Sequence, residues 1–338
     1  MSLITLAMPV YNVSRFVEAS LLSALNQTYP DIEYIIVDDK STDDSMDIVR
    51  SVVNSHPRRD AVRIIDHGVN RGLGDTRNTS IDNAHGEYIY FMDSDDVITP
   101  DCIERLVRYM KETPVDFIAS SRMRKTFDGR LIANDIYTPT IVHDDGELSV
   151  ARFRYVHNNK ILAEVWNKLY NTEFLRRSHV RCLPGVHVED VSFSYQVNLA
   201  ARSCRLVPDI TYTYHIYEGQ SFAAFRNNHD RAVYLAECFC KIRQYDIALC
   251  KKYILNDEYP SLMKGIDAVS YLHGKMVSKS IVLSREEKKK YIRILLRHEQ
   301  SLLRIILRHR NNALKNLVLY FIYHMPMFLK LNIHNIKI

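Results

Sequence analysis

The chain has 338 residues, 46% of them apolar and 25% charged, and a formal net charge of +5. These are the proportions of a folded globular protein with room for one large domain plus an accessory region, or for two domains, and they exclude low-complexity and tandem-repeat architectures. The charge is uneven, with 20 Lys and Arg against 9 Asp and Glu from residue 230 onward and 25 against 31 before it, so two regions with different jobs are expected.

Six cysteines (Cys102, Cys182, Cys204, Cys238, Cys240 and Cys250) make no CxxC pair, which predicts free thiols in a reducing cytoplasm. The opening MSLITLAMPVYN lacks the basic start and long apolar run of a secretory signal, so no export is expected.

In chain order, β-branched and aromatic runs at 3–9, 33–39, 61–66, 87–93 and 115–121 read as strands. Between them lie helical patterns. Ser14 is the expected N-cap of a helix over 14–27, and Asp43 or Asp44 caps one running to Val53. Asp75 or Thr76 opens a third to Ala84, and Thr99-Pro100 a fourth to Met110. Strand and helix in repeated alternation predict a parallel, doubly wound α/β sheet, whose ligands bind at the carboxyl ends of its strands.

The polar residues fall at those ends. Pro9, Tyr11 and Asn12 follow the first strand, Asp38, Asp39, Ser41 and Asp43 the second, Asn70 to Asn78 the third, and Asp93, Asp95 and Asp96 the fourth. Two like charges about 4 Å apart repel by about 4 kcal/mol at a protein-surface dielectric, so the last cluster needs a reason. Hard divalent cations such as Mg²⁺ and Mn²⁺ supply one, because carboxylates plus a diphosphate meet their ligand requirement. Asp96 is expected to cap the next helix. A carboxylate closing the second strand can accept the N3–H of uracil and so select a base. In NRGLGDTRN, Gly72 and Gly74 permit close approach or positive φ, and Arg71 and Arg77 supply cations near a diphosphate or base, the other readings being a surface Arg71 and a helix-face salt bridge at Arg77.

In this order, MPVYN, VDDKSTDD, NRGLGDTRN and GEYIYFMDSDD with the following TPD resemble the inverting family 2 glycosyltransferases, nucleotide-sugar enzymes of the GT-A fold. The resemblance covers residues 1 to about 222, tightly over 3–120. It implies a GT-A type, mostly parallel sheet flanked by helices. A catalytic domain over 1–225 is expected, with a nucleotide-sugar half (1–122) and an acceptor half (123–225), followed by a basic helical region over 226–338.

The resemblance also implies roles. Pro9 and Tyr11 would lie against the nucleoside, Asp39 on the base, and Arg77 and Ser94 on the nucleotide. Asp93 would face ribose or metal, and Asp95 would ligate Mn²⁺ or Mg²⁺. In HVEDVSF the general base would be Asp190, with Glu189 second, taking the acceptor's proton. Trp166 and Lys168, in VWNKLY, would border the acceptor, although a buried anchor is the other reading of the chain's only Trp. His215 would add a metal or phosphate contact, or serve structurally. Two departures stand out: Ser80 where relatives carry Gly, and the extra charge of Asp75. No Q-x-x-R-W signature of processive members follows the acidic pair, which favours transfer of a single sugar.

Residues 288–315 hold nine Lys and Arg against one acid, with Ile292, Leu295, Leu296, Leu302, Leu303 and Ile306 on one helical face. That pattern suits an anionic membrane surface. Residues 317–329 continue apolar but are too short for a span, and packing on the enzyme domain or a dimer contact fits equally.

The expected activity is a metal-dependent, hexosyltransferase-type transfer of one sugar from a UDP-sugar to a glycan or lipid-linked acceptor hydroxyl, in surface polysaccharide synthesis. The expected place is the cytoplasm, peripheral at the inner membrane face. A sugar-phosphate nucleotidylyltransferase lacks support because MPVYNVS stands where its Gly-rich loop belongs. A non-catalytic membrane-associated scaffold predicts no donor hydrolysis. Nucleic acid is not an expected partner, since the basic residues are not interleaved with aromatics in a reading module.

Overall fold

The structure is a computed structural model that describes residues 1–217, 224–254 and 256–297. Two compact units divide the chain, Met1–Gln220 and Ser221–Ile338.

The first unit begins with β1 (Ile4–Val10), α1 (Val17–Leu25), β2 (Ile32–Asp38), α2 (Ser45–Ser55), β3 (Val62–Asp66), α3 (Leu73–Asn83) and β4 (Tyr88–Phe91). Every residue of β1 is buried, as a strand covered on both faces requires. It lies parallel to β2 on one side (Ile4 opposite Ile32) and to β4 on the other (Ile4 opposite Tyr88), and β3 runs parallel outside β2. Four chain segments therefore release their carboxyl ends along one edge.

Next come β5 (Val97–Ile98), α4 (Cys102–Glu112), β6 (Phe117–Thr126), β7 (Leu131–Asp135), β8 (Thr140–Val142), α5 (Ser149–Ala151), β9 (Lys168–Asn171), α6 (Thr172–Arg177), α7 (Glu189–Ala200) and β10 (Cys204–Ile216). The sheet order is β3-β2-β1-β4-β9-β6-β10-β5, with β7 beside β6 and β8 beside β10. Here the alternating pattern misleads. β9 enters between β4 and β6 antiparallel to both, so the expected parallel neighbour of β4 is displaced by a strand from about 50 residues farther along. The α/β sheet is parallel in its first half and mixed in its second.

Three helix starts also differ from expectation, and α3 opens at Leu73 behind Gly72, two residues ahead of Asp75. Ser14 does not cap α1: that helix begins at Val17 with Phe16 at the cap position, and the Ser14 N–H donates to Asp43. Nor does α4 begin at Thr99-Pro100. Residues 97–98 pair with β10, and the helix follows Asp101.

The second unit contains α8 (Ala224–Asn227), α9 (His229–Cys250), α10 (Tyr259–Lys279) and α11 (Arg285–Leu295). A full capping box starts α11, with Ser284 and Glu287 satisfying each other's backbone N–H. Tyr291, Ile292 and Leu295 are buried, and α11 packs on α9 and α10. The apolar face read as membrane-seeking is thus used inside the unit at Ile292 and Leu295, while Arg293 and Arg297 stay exposed. The rest of that pattern, from residue 298 on, and residues 317–329 lie outside the described residues. No helix among the described residues is long and apolar enough to cross a membrane.

Candidate active site

The acidic loop leaves β4 at the carboxyl edge, and the structure divides its three carboxylates. Ligand atoms of Asp93, Asp95 and Asp96 lie within 4.8 Å of one another, a convergence that suits a hard divalent cation. Asp96 is fully buried and does not cap α4. Its carboxylate instead accepts the Tyr212 hydroxyl at 2.7 Å and the His215 N–H at 2.8 Å. Tyr212 also accepts the Asp93 N–H at 3.2 Å, so one β10 side chain braces both ends of the loop. Burial, then the neighbouring charge of Asp93, pushes Asp95 up to about 6, and burial followed by the charges of Asp95 and Asp93 raises Asp96.

Arg77, on α3, is 2% exposed, so its guanidinium is not laid out on the surface. It bridges instead. One guanidinium nitrogen meets Asp93 at 2.7 Å and another meets Glu189 at the start of α7. Burial opposes its charge, but Asp93 and Glu189 overcome that and raise its pKa. Gly74 lets α3 lie close against residues 182–183: a Cβ there would stand 3.1 Å from the Leu183 carbonyl oxygen and 3.2 Å from Cys182 Cβ. Gly72, at φ 92°, turns the chain into α3.

Glu189 and Asp190 are placed differently. Glu189 is buried and committed to Arg77. Asp190 is partly exposed, yet its Oδ1 is enclosed and has no hydrogen-bond partner. Burial first, then the Glu189 charge, raises the Asp190 pKa against the pull of Arg77. Just before them Val188 sits at φ 69°, ψ 35°, a left-handed conformation that a β-branched residue rarely adopts and that marks local strain.

At the second strand, Asp39 is 2% exposed and largely engaged by the chain itself. It accepts the Arg71 and Gly72 N–H groups at 2.8 and 2.7 Å, and its Oδ1 pairs with His67 at 2.9 Å. His67 reaches on to Thr79. Asp39 therefore clasps the 67–72 loop, which leaves room for at most one further bond on Oδ2 where a free base-reading carboxylate was expected. Pro9 is buried within β1, Tyr11 is 47% exposed beyond it, and Ser94 is buried in the acidic loop.

Three expected contacts take other positions. Trp166 is 6% exposed, stacked on Tyr212 at 4.4 Å and Tyr214 at 5.3 Å with Arg122 over its ring, so it backs the acidic loop's brace and presents no open face to a sugar. Lys168 is 3% exposed and donates to the Leu162 and Glu164 carbonyls; burial lowers its pKa to about 8. It tethers the 162–164 segment to β9. His215 stands outside the converging set, its Nδ1 bonded to the Asp95 carbonyl at 2.9 Å.

Sequence reading missed Tyr212, Tyr217, His67 and Val188. The alternation in YTYHIY puts Tyr212 and Tyr214 on one strand face and could have flagged Tyr212; nothing local distinguishes Tyr217, which falls out of that alternation, or His67 or Val188.

A mixed sheet with an acidic loop at the end of β4 and a second acidic pair opening α7 is the GT-A arrangement. The profile of the family described as Glycosyl transferase family 2 matches residues 5–176, and the chain belongs to that family. It is 32% identical to EpsH of Bacillus subtilis, named as a glycosyltransferase, over 217 residues, 63% of this chain and 61% of EpsH. It is 33% identical to an Escherichia coli chondroitin synthase over 166 residues, 49% of this chain and 23% of that one. The chain thus spans about three fifths or less of the length of these curated relatives.

Among solved structures, residues 1–349 of S. aureus TarS with UDP-GlcNAc give a TM-score of 0.55 at 18% identity, covering 93% of this chain and 89% of that one. The mannosyltransferase PcManGT of Pyrobaculum calidifontis with GDP-Man and Mn²⁺ gives 0.52 at 16%, covering 93% and 87%. At these identities the likeness is one of fold.

Proposed function

We propose that the protein transfers one sugar from a UDP-sugar to a hydroxyl of a glycan or lipid-linked acceptor, with inversion and with Mn²⁺ or Mg²⁺ as cofactor, in polysaccharide synthesis. The observation that carries this reading is the Arg77 bridge. One buried guanidinium ties Asp93, in the acidic loop, to Glu189, beside Asp190 and its unpartnered oxygen. The UDP-GlcNAc and Mn²⁺ in the two structural neighbours and the polymer made by the chondroitin synthase support donor, cation and pathway class.

In this reading Asp190 takes the acceptor O–H proton while that oxygen forms a bond to the anomeric carbon. The bond from that carbon to the diphosphate oxygen breaks, and its electron pair leaves with the diphosphate. Attack from the opposite face inverts the configuration, through an oxocarbenium-like transition state. Asp93 and Asp95 would hold the cation, which when bound supplies positive charge against the departing diphosphate. Arg77 keeps Asp93 and Glu189 in place from behind. Pro9 and Tyr11 would meet the nucleoside, with Asp39 holding the adjoining loop.

The test is a donor panel. With Mn²⁺ the protein should slowly hydrolyse a UDP-sugar, and Asp95→Ala should abolish this. Asp190→Asn should lower transfer by about 10²–10⁴-fold, the usual contribution of a general base, with donor binding retained. No turnover of any UDP-sugar would remove the donor assignment, and lost binding in Asp190→Asn would move that residue to the donor side. An anionic membrane surface is the proposed partner of the tail; vesicle pelleting should lose the protein when the chain ends after residue 297.

A further inference from the structure

The end of β10 does more than supply Tyr212. The Tyr217 hydroxyl donates to Asp95 Oδ2 at 3.0 Å, and the His215 ring donates from Nδ1 to the Asp95 carbonyl at 2.9 Å. One residue of the acidic loop is thereby held at its side chain and at its backbone by two residues of the same strand end.

That strand end is itself held by aromatic rings from two other segments. Phe127, in the turn between β6 and β7, stacks on the His215 ring at 4.5 Å and on Phe16, in the loop before α1, at 4.3 Å. Both stacks are near parallel, at 17° and 15°. Tyr217 tilts against both phenylalanines, at 5.5 Å and 5.1 Å. Phe127 is nevertheless 43% exposed. Its ring neighbours, two of which hold Asp95, give this exposed turn residue a purpose.

We propose that Tyr217 is a positioning residue for Asp95, and that Phe127 acts through it as the clamp that keeps the β10 end over the acidic loop. The inference rests on the reading that Asp93 and Asp95 hold a divalent cation. A carboxylate whose rotation is restrained gives up less freedom on binding a cation, and loss of such an outer partner typically costs about 10–100-fold in metal affinity. Neither residue touches the reacting atoms in this reading.

The experiment measures Mn²⁺ binding to the full chain directly, by the loss of the free-ion electron paramagnetic resonance signal, alongside kcat and the Mn²⁺ concentration for half-maximal rate. Tyr217→Phe keeps the ring and should weaken Mn²⁺ binding by about 10-fold, the lower end of that range, while kcat at saturating Mn²⁺ stays near wild type. Phe127→Ala should shift the metal dependence in the same direction by a smaller factor, and Phe127→Tyr should restore it. Thermal melts of each variant separate a local change from unfolding. Equal Mn²⁺ affinity in wild type and Tyr217→Phe would overturn the positioning role and leave the cation reading standing. No Mn²⁺ or Mg²⁺ binding by the wild type would overturn both.

Discussion

Arg77 and Arg243 are both almost completely shut away from water, and their surroundings differ. Arg243, in the helical unit, meets Asp267 at 2.8 Å, the Ser270 hydroxyl at 2.9 Å and the Arg297 carbonyl at 2.8 Å. One cation meets one carboxylate, and neutral oxygens complete the shell. Arg77 meets two carboxylates, Asp93 and Glu189, while Asp190, Asp95 and Asp96 add acid nearby and its own Nε has no partner. The first arrangement closes its charge balance within the chain. The second leaves negative charge in excess, which costs stability unless positive charge arrives from outside. That contrast separates a structural ion pair from a site.

The contrast can be broken by paired substitutions. Arg77→Met should destabilise by about 3–5 kcal/mol because it strands the buried Glu189 carboxylate, and Arg243→Met by less because Asp267 is 13% exposed. Calorimetric melts in the presence of Mn²⁺ should recover part of the loss for Arg77→Met and none for Arg243→Met. Equal recovery, or none in either, would erase the distinction.

A somewhat smaller effect belongs to the helical unit alone. His273 is buried against Phe239, with ring centroids 3.8 Å apart, and burial lowers its pKa from 6.5 to about 4. The unfolded imidazole accepts a proton below about 6.5 and the folded one only below about 4, so the unfolded state binds more protons between those values. Stability from this group is therefore complete above the upper value and falls by up to about 3 kcal/mol on acidification through the window. His273→Phe should flatten that fall in melts taken at pH 7.5 and 4.5. An unchanged slope would show that other groups carry it.

The smallest expected effect concerns Val188. Val188→Gly relieves the left-handed strain and should change stability by no more than about 1 kcal/mol, since glycine tolerates that conformation but adds freedom to the unfolded chain. It should lower kcat more than donor affinity, because the turn that aims Asp190 becomes looser. Comparing kcat with KM against the wild type checks this.

Where chain order and burial alone decide structure, the sequence is readable. The apolar runs of β1, β2 and β4 must be buried on both faces, so their ends, and with them Asp39 and Asp93–Asp96, could be placed on one edge without coordinates. Gly72 and Gly74 were legible because backbone conformation and close approach restrict the residue type. What could not be read depends on partners distant in sequence. The entry of β9 beside β4, the Tyr212 hold on Asp96, the stacking of Trp166 on Tyr212, and the reach of Arg77 to Glu189 all arise from pairings across roughly 40 to 120 residues. A local pattern identifies such residues as chemically able without saying what they will meet. Asp96 shows the cost of that gap: position alone made it a helix cap, while its actual partners lie on the last strand of the sheet.

The stack of Trp166 on Tyr212 has a practical consequence. It is the chain's single tryptophan, and its neighbour's hydroxyl is bonded into the acidic loop. Indole emission is therefore a built-in optical reporter of that loop, free of background from any second tryptophan. Titrating nucleotide or cation and following wavelength and intensity would read the loop's response in the unlabelled protein.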